Sequence, residues 1–325
     1  MNSAIIGLGV IAGVHVDAIK AINANLTCVC ESDEQKAKDF LKSHDIDCKI
    51  YTDYKEMLLK EDIDVVHICT PHFLHESMCI FALENNINVL CEKPLCISKD
   101  GIDKIIEAQN KSNAQVAVCL QNRYNPANAY VKKLLGNDCV TYGAGAVKWC
   151  RTKEYYQSGD WRGKKETEGG GVLINQALHT IDLIQWLCGM PISLSADLSN
   201  EKHGYIEVED TAVVQMKMEN CTFDFCASVC ESKDFPIEIY LETANDKKIT
   251  ICDNVVTVNG EMTVFEEETT QTVKACYGNS HPRLFADFYN CVKTGEKFSI
   301  DADEGSKVIK MIFAMYSSNG KSIEL

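Results

Sequence analysis

Lys93 stands in the sequence Cys91-Glu92-Lys93-Pro94, directly after the apolar segment INVL. A lysine is ordinarily a solvated surface charge. When it is partly desolvated at the end of a strand, however, its ammonium can hold a hydroxyl group and stabilise charge while a proton moves. We therefore interpret Lys93 as a candidate for proton-transfer chemistry. Pro94 is predicted to form a tight turn that can contain a cis peptide bond.

A second polar group follows three glycines, in the sequence EGGGVLINQALHTID. The spacing predicts a helix over about 171–187 and places Asn175, His179 and Asp182 on one face, at i, i+4 and i+7. Polar side chains on an otherwise apolar helix are costly to bury without a purpose. The glycines would leave room for a ligand to approach the backbone. The alternative is a core histidine held by Asp182.

A glycine-rich turn opens the chain, with G-x-G-x-x-A spacing between a predicted strand and a predicted helix. In such a turn Gly7 permits the tight bend, Gly9 lets the backbone approach a pyrophosphate, and Ala12 allows close helix packing. Val10 and Ile11, at the start of the helix, belong to the same site. The pattern predicts a dinucleotide-binding turn.

Glu31 ends the second predicted strand, about twenty residues later. A carboxylate there hydrogen-bonds the adenosine ribose of NAD and repels the 2′-phosphate of NADP, so we predict NAD as the cofactor. In the sequence CTPHFLH, Thr70 and Pro71 are candidates for a wall beside the nicotinamide ribose. We assign His75, Glu92 and Lys93 to the cofactor site as well, although His75 could equally be a helix-start residue without a ligand.

Five short apolar segments alternate with helical segments up to about residue 120: SAIIGL, LTCVC, VVHICT, INVLCE and QVAVCL. They are apolar on both faces, which is typical of buried parallel strands, and the alternation predicts a doubly wound α/β sheet. Ser32 or Asp33 can cap one of the helices, and Ser98 another.

After about residue 122 the strands become longer and alternate in polarity, and several follow one another directly, which predicts an α+β domain with an antiparallel or mixed sheet. Further helices are predicted at about 282–293 and 303–317. We therefore divide the chain into an NAD-binding domain, residues 1–121, and a domain for substrate binding and oligomerisation, residues 122–325.

The composition restricts the class of function. A net charge of -15 over 325 residues argues against binding to nucleic acid. The sequence predicts neither a secretory signal nor a membrane span, so we expect a cytoplasmic protein. The 17 cysteines lie mostly in apolar segments without zinc-site spacing, so we expect neither a structural metal nor a disulfide framework.

Taken together, these motifs resemble the glucose–fructose oxidoreductase and inositol dehydrogenase family, often called Gfo/Idh/MocA. The resemblance covers nearly the whole chain and rests on GLGVIAGVH, VVHICTPHFLH, CEKPL, QNRYNPA, GGGVLINQALHTIDL and HPRLFADFYNCVKTGE. It implies a Rossmann domain and a second domain with a large, open, mainly antiparallel sheet, through which members commonly form dimers or tetramers. It also implies that Lys93 is the catalytic lysine and His179 the catalytic acid/base.

Asn175 departs from the inositol-dehydrogenase-like pattern, which has an aspartate there; an asparagine cannot exchange a proton and at most orients substrate. Locally, the stretch from Tyr155 to Gly163 and the residues around Asn175 resemble the UDP-N-acetyl-hexosamine 3-dehydrogenase branch, which oxidises the sugar 3-hydroxyl. The resemblance thus predicts NAD-dependent oxidation of a secondary hydroxyl of a sugar, sugar derivative or nucleotide sugar. Candidates for binding this substrate are Arg123, Tyr124, Arg162, Asn175 and His179, with Arg162 equally plausible as a surface residue.

Two other functions stay open at this point. One is an NAD-dependent glycosidase that uses transient 3-oxidation to eliminate the glycosidic group, which product analysis would detect as released aglycone. The other is a sensor that binds NAD or a sugar without turnover. The retention of both Lys93 and His179 argues against the sensor, because a sensor does not need a proton-transfer pair.

Overall fold

The computed structural model of the protein describes residues 1–266 and 280–325. These residues form two compact units. The first unit comprises residues 1–121 and 280–306, and the second comprises residues 122–266 and 307–325.

Six parallel strands form the sheet of the first unit, in the order β3-β2-β1-β4-β5-β6. They are β1 (Asn2–Ile6), β2 (Asn25–Cys30), β3 (Lys49–Tyr51), β4 (Val65–Ile68), β5 (Asn88–Cys91) and β6 (Val116–Val118). This order is that of the doubly wound dinucleotide-binding sheet, so the predicted architecture is confirmed. Strand β3 was not predicted, because its three residues are too few to show a period.

The described residues of the two units contain eleven α-helices. They are α1 (Val10–Ala21), α2 (Glu34–Ser43), α3 (Tyr54–Lys60), α4 (His75–Glu84), α5 (Lys99–Lys111), α6 (Pro126–Leu135), α7 (Lys153–Gln157), α8 (Lys165–Glu168), α9 (Leu178–Cys188), α10 (His281–Thr294) and α11 (Ala302–Ser318). Short 3-10 helices cover His72–Leu74 and Gln121–Tyr124. Two predicted caps are confirmed, since Asp33 accepts hydrogen bonds from the first turn of α2, and Ser98 accepts one from the first turn of α5.

Helix α10 belongs to the first unit. The rings of His281 and Phe285 on this helix lie 6.1 and 4.9 Å from the ring of His15 on α1. This packing corrects the prediction that residues 122–325 form one continuous domain. The apolar face of α10 finds its partner on α1, and a pattern within one helix cannot identify that partner.

Nine strands form the sheet of the second unit, in the order β14-β13-β12-β11-β7-β10-β9-β8-β15. They are β7 (Val140–Lys148), β8 (Ser193–Ser199), β9 (Thr211–Lys217), β10 (Thr222–Ser228), β11 (Glu238–Thr243), β12 (Lys248–Cys252), β13 (Val255–Val258), β14 (Glu261–Val264) and β15 (Ile323–Glu324). Strands β7 and β10 are parallel, whereas the other neighbours are antiparallel, so the predicted mixed, mainly antiparallel sheet is confirmed.

Strand β7 was not predicted, although it is the central strand of the nine-stranded sheet. Two glycines interrupt its pattern, and glycine weakens a strand signal. A Cβ on Gly143 would lie 2.3 Å from the ring of Phe223, so the glycine makes room for an aromatic side chain of the neighbouring strand.

Within residues 1–266 and 280–325, no helix is both long and apolar enough to cross a membrane. The described cysteines are free thiols, and most of them are buried or half-buried.

Candidate active site

The turn after β1 has the geometry expected of a dinucleotide loop. Gly7 adopts φ +86°, and a Cβ there would lie 2.8 Å from Cγ2 of Thr70 and 2.9 Å from the carbonyl oxygen of Cys69. Its backbone nitrogen donates a hydrogen bond to the carbonyl oxygen of Cys30 at 2.8 Å. Only glycine combines this backbone conformation with so close an approach between β2 and β4.

Gly9, at the N-cap of α1, lies on the open side of this turn. Within the described chain, a Cβ on Gly9 would meet no other atom within 4 Å, and no side chain there caps α1. Val10 is 78% exposed, whereas Ala12 is fully buried against the sheet. The N–H groups at this helix end can therefore receive a pyrophosphate.

Glu31 lies directly after β2 and beside the glycine turn. Its Oε2 accepts hydrogen bonds from the backbone nitrogen of Leu8 at 3.1 Å and from Nζ of Lys36 at 2.6 Å. Burial raises the pKa of Glu31, but the bonds from Lys36 and Leu8 outweigh burial and hold the pKa below its usual value. The carboxylate is thus ionised. Lys36, in the first turn of α2, was not predicted as the cationic partner of Glu31.

The segment after β4 supplies Thr70 and Pro71, both half-buried. His75, the first residue of α4, is 1% exposed, and its ring nitrogens lie 2.7 Å from the carbonyl oxygen of Pro94 and 2.8 Å from that of Thr70. This corrects the assignment of His75 to the cofactor site. The side chain instead ties the loop after β4 to the loop after β5.

Lys93 leaves the carboxyl end of β5 and is half-buried. The peptide bond between Lys93 and Pro94 is cis, as predicted. Glu92 is 7% exposed; its Oε1 lies 2.9 Å from Nε2 of His15, and its Oε2 accepts a hydrogen bond from the Lys93 nitrogen at 3.2 Å. Glu92 therefore points into the protein interior, which corrects its assignment as a cofactor contact.

Gly170 and Gly171, the last two of the three consecutive glycines, pack against protein. A Cβ on Gly171 would lie 1.8 Å from the carbonyl oxygen of Glu209, and a Cβ on Gly170 would lie 2.0 Å from the hydroxyl of Tyr316. The nitrogen of Gly171 donates a hydrogen bond to the Glu209 carboxylate at 2.9 Å. These contacts correct the prediction that the glycines leave room for a ligand. Burial raises the pKa of Glu209 to about 7, although the hydrogen bonds that the carboxylate accepts lower the pKa.

Helix α9 begins at Leu178, seven residues later than the predicted start. Asn175 therefore lies in the turn before the helix, which corrects its predicted place on one helix face with His179. Its Nδ2 donates hydrogen bonds to Oε1 of Glu168 and, at 3.2 Å, to the hydroxyl of Tyr155. Both amide hydrogens thus go to protein acceptors, so Asn175 would meet a substrate hydroxyl through its carbonyl oxygen.

His179 is half-buried in the first turn of α9. Asp182, one turn further on, forms a bidentate ion pair with Arg123, at 2.8 Å from Nε and 2.6 Å from Nη2. Nη2 of Arg123 also donates to Gln185 at 3.1 Å. Because its guanidinium is buried and bound within the second unit, Arg123 has a structural role. This corrects its assignment to the substrate.

Arg162 lies between two aromatic rings. Its guanidinium carbon is 4.4 Å from the ring centre of Tyr155 and 4.5 Å from that of Trp161, and Nη1 donates to the Tyr155 hydroxyl at 2.6 Å. Gln176 donates to the same hydroxyl at 3.1 Å. Arg162 is therefore part of a polar cluster rather than a solvated surface residue. Tyr124 is half-buried in its 3-10 helix.

Three members of this cluster were missed as site residues: Tyr155, Glu168 and Gln176. Glu168 is 1% exposed, and its Oε2 also accepts a hydrogen bond from the nitrogen of Gly163. Tyr155 and Glu168 do occur in the sequence segments that carry the local resemblance. A buried glutamate beside three glycines was the available signal, but only the fold brings it to Asn175.

Two family models match the chain. The model described as the oxidoreductase family with NAD-binding Rossmann fold matches residues 1–120, and the model of the Gfo/Idh/MocA C-terminal domain matches residues 140–245.

Two of the curated relatives are dehydrogenases of modest identity. D-glucoside 3-dehydrogenase of Escherichia coli is 23% identical, and the alignment spans 100% of this chain and 97% of the relative. Trans-1,2-dihydrobenzene-1,2-diol dehydrogenase of Xenopus tropicalis is 26% identical over 53% of this chain, and this chain spans about half (51%) of that relative.

Solved structures agree in fold over the whole chain. The WlbA dehydrogenase of Chromobacterium violaceum, in complex with NADH and UDP-GlcNAcA, has a TM-score of 0.88 at 25% identity, covering 100% of this chain and 96% of its own. Levoglucosan dehydrogenase, in complex with NADH and levoglucosan, has a TM-score of 0.89 at 18% identity, covering 100% and 99%.

Proposed function

The chain belongs to the Gfo/Idh/MocA family of oxidoreductases, and from this premise we propose that it oxidises a secondary hydroxyl group of a sugar, sugar derivative or nucleotide sugar with NAD. One observation carries the proposal. The glycine turn after β1 and Lys93 after β5 leave the same, carboxyl edge of a parallel sheet, which is where this architecture binds its dinucleotide.

The residues at this edge fit NAD. The open N-terminus of α1 at Gly9 suits the pyrophosphate, and the ionised carboxylate of Glu31 suits the ribose hydroxyls. Thr70 and Pro71 are proposed to contact the nicotinamide ribose. When bound, the nicotinamide supplies the hydride acceptor.

The roles of two residues follow from the family resemblance. We propose that His179 takes the proton of the substrate hydroxyl and that the Lys93 ammonium donates a hydrogen bond to the same oxygen. Asn175 and Arg162 are proposed to orient the sugar, Asn175 as an acceptor. The proton released by the oxidation then leaves through His179 to water.

For the position of oxidation we propose the sugar 3-hydroxyl. One finding supports this position: the E. coli relative that aligns with the full chain is a D-glucoside 3-dehydrogenase. The WlbA structure at 25% identity holds a nucleotide sugar, which supports that substrate class and not the position.

A panel of sugars, glycosides and nucleotide sugars incubated with NAD tests this function. We expect reduced nicotinamide, followed by its absorbance, with at least one member of the panel, and a 3-keto product by NMR. Lys93→Met serves as the inactive control. Released aglycone would instead identify the redox-assisted glycosidase, and binding without turnover would identify a sensor.

We further propose that the protein is a homodimer or homotetramer assembled through the second sheet. The outer face of β9 carries Val213, which is 54% exposed. When both faces of an antiparallel sheet are covered, a second copy of the protein commonly covers one of them. Light scattering that gives a monomer mass at micromolar concentrations would contradict this.

A further inference from the structure

A line of buried polar side chains crosses the first unit and ends at Glu92. The Ser3 hydroxyl lies 2.8 Å from the hydroxyl of Tyr289, which lies 2.7 Å from Nε2 of His67. Nδ1 of His67 is 2.8 Å from Nδ1 of His15, and Nε2 of His15 is 2.9 Å from Oε1 of Glu92. None of these five residues is more than 7% exposed. We call this line the buried chain.

The hydrogen bonds of the buried chain end on the Glu92 carboxylate. Burial raises the pKa of Glu92, but the hydrogen bond and charge of His15 more than offset it, so Glu92 is a carboxylate and accepts from His15. Burial lowers the pKa of His67, which is therefore neutral. The neutral imidazole of His67 carries one N–H and one acceptor nitrogen, so it donates to one of its two neighbours, His15 and Tyr289, and accepts from the other. The Glu92 carboxylate at the end of the buried chain accepts only.

The far side of Glu92 holds the backbone of Lys93. Oε2 of Glu92 accepts the hydrogen bond from the Lys93 nitrogen at 3.2 Å. On the other side of Lys93, the carbonyl oxygen of Pro94 lies 2.7 Å from Nδ1 of His75. Buried groups of the first unit therefore hold the backbone on both sides of the Lys93 side chain.

The charges around Glu92 leave Lys93 as its cationic neighbour on the same loop. The titratable groups that face the carboxylate are His15, His67, His75, His281, Cys69, Cys91, Cys119 and Lys93. Burial raises the pKa of the three thiols, lowers the pKa of His67 and His75, and lowers that of His281 to about 4, so these groups are neutral near pH 7. The charges of Glu92 and Lys93 attract each other.

We infer that Glu92 and His15 are positioning residues for Lys93. The Glu92 carboxylate fixes the Lys93 backbone and supplies a fixed anion that favours the ammonium form of the side chain, and His15 holds that carboxylate in place. The inference rests on the proposed role of Lys93 and extends it to two buried residues that act through Lys93.

Titration of Lys93 tests the inference without a substrate. In the full-length protein, reductive methylation with ¹³C-formaldehyde gives each lysine an NMR signal, and Lys93→Arg identifies that of Lys93. Glu92→Gln removes the charge and keeps the shape. It should lower the midpoint of the Lys93 titration by at least about one pH unit, because an opposite charge within about 4–6 Å typically shifts a pKa by about 1–3 units.

Two variants of His15 test its part. His15→Leu removes the donor to Glu92 and should lower the Lys93 midpoint, whereas His15→Gln keeps a donor and should restore most of the shift. In an active preparation, the basic limb of the kcat–pH profile should move with the Lys93 midpoint. The kcat of Glu92→Gln should fall about tenfold or more, as expected for a misplaced acid/base group, with little change in the Kd for NAD.

Tyr289→Phe is the matched control, since it breaks the buried chain at the end remote from Lys93. It should lower the thermal stability and leave the Lys93 titration unchanged. A folded Glu92→Gln protein whose Lys93 titrates as in the wild type would overturn the inference.

Metal analysis gives a second decisive result, because donor atoms of His15, Glu92 and Cys119 lie within 4.8 Å of one another. Stoichiometric zinc that is lost in His15→Leu would overturn the inference in favour of a metal site. A wild-type protein that oxidises no sugar would refute the proposed function alone, since the Lys93 titration still decides the positioning role.

Discussion

The guanidinium of Arg123 and the carboxylate of Asp182 form a buried bidentate ion pair, with their side chains 5% and 1% exposed. The pair ties the 3-10 helix at Gln121–Tyr124 to α9, one turn beyond His179. It therefore fixes the helix that carries the proposed acid/base residue.

Removing one member of this pair should destabilise the protein strongly. Arg123→Met leaves the Asp182 carboxylate buried without its partner, which costs about 3–5 kcal/mol. The double variant Arg123→Met/Asp182→Leu should recover part of this loss, because it removes both charges. Urea unfolding measures both. If Arg123→Met unfolded at the wild-type urea concentration but raised KM, Arg123 would be a substrate residue after all.

Gly9→Ala should weaken NAD binding without harming the fold. The added Cβ meets no described atom, so the free energy of unfolding should change by less than about 1 kcal/mol. It would occupy the space of the pyrophosphate, and we expect at least a roughly tenfold higher Kd for NAD. Gly204→Ala, whose Cβ also meets nothing in the described structure, should change neither quantity. Calorimetric titration with NAD distinguishes the two variants.

Glu31→Gln should narrow the preference for NAD over NADP. Loss of a hydrogen bond to a charged group costs about 1.5–3 kcal/mol, so the Kd for NAD should rise at least tenfold. NADP should lose less affinity, because its 2′-phosphate no longer meets an anion at position 31 and because Lys36 lies nearby. Glu34→Gln, at an exposed position of α2, is the control. Equal loss for both dinucleotides would contradict the assignment of Glu31 to the ribose.

Lys93→Met and His179→Ala should each lower kcat by about 10²- to 10⁴-fold while NAD still binds. The double variant should be little worse than either single variant, because residues that act as a unit are not additive. Lys99→Met, at the exposed start of α5, should be fully active. Steady-state kinetics and thermal unfolding on the same preparations are needed. If His179→Ala lowered Tm and left the activity per folded molecule intact, His179 would be a packing residue.

Buried His281 should make the protein sensitive to acid. Burial disfavours the charged form and lowers the pKa of His281 to about 4, below the usual histidine value of about 6.5. Between these values the unfolded chain binds the proton and the folded one does not, so stability falls as the pH falls from 6.5 to 4. The loss from this group reaches about 3 kcal/mol. His281→Leu should flatten the dependence of urea unfolding on pH in this window, and an unchanged slope would refute the assignment.

The sequence was informative where a local pattern carries the physical constraint. Gly7 must adopt a positive φ and sit close to β4, so its type and position follow from the turn alone. Alternating and continuous apolar segments likewise predicted both sheets. A strand buried on one face alternates in polarity, and a strand buried on both faces is continuously apolar, so the residue pattern of the strand shows its burial. The caps Asp33 and Ser98 were predictable for the same reason.

The sequence was misleading where a residue's partner lies far away in the chain. The three glycines were read as space for a ligand, but Glu209 and Tyr316 fill that space. Arg123 and His75 looked like ligand-binding residues because each sits in a family motif, and both are bound within the fold.

The sequence by itself thus determined the fold class and the dinucleotide turn, and it supplied the residues that are proposed to transfer a proton. The tertiary structure alone decided which polar side chains form hydrogen bonds within the fold. It also brought together the residues of the buried chain, Ser3, Tyr289, His67, His15 and Glu92. The reason is physical. Neighbours in sequence determine a backbone conformation or a periodic burial pattern. The position of a buried polar group depends instead on the distant residue that forms a hydrogen bond with it.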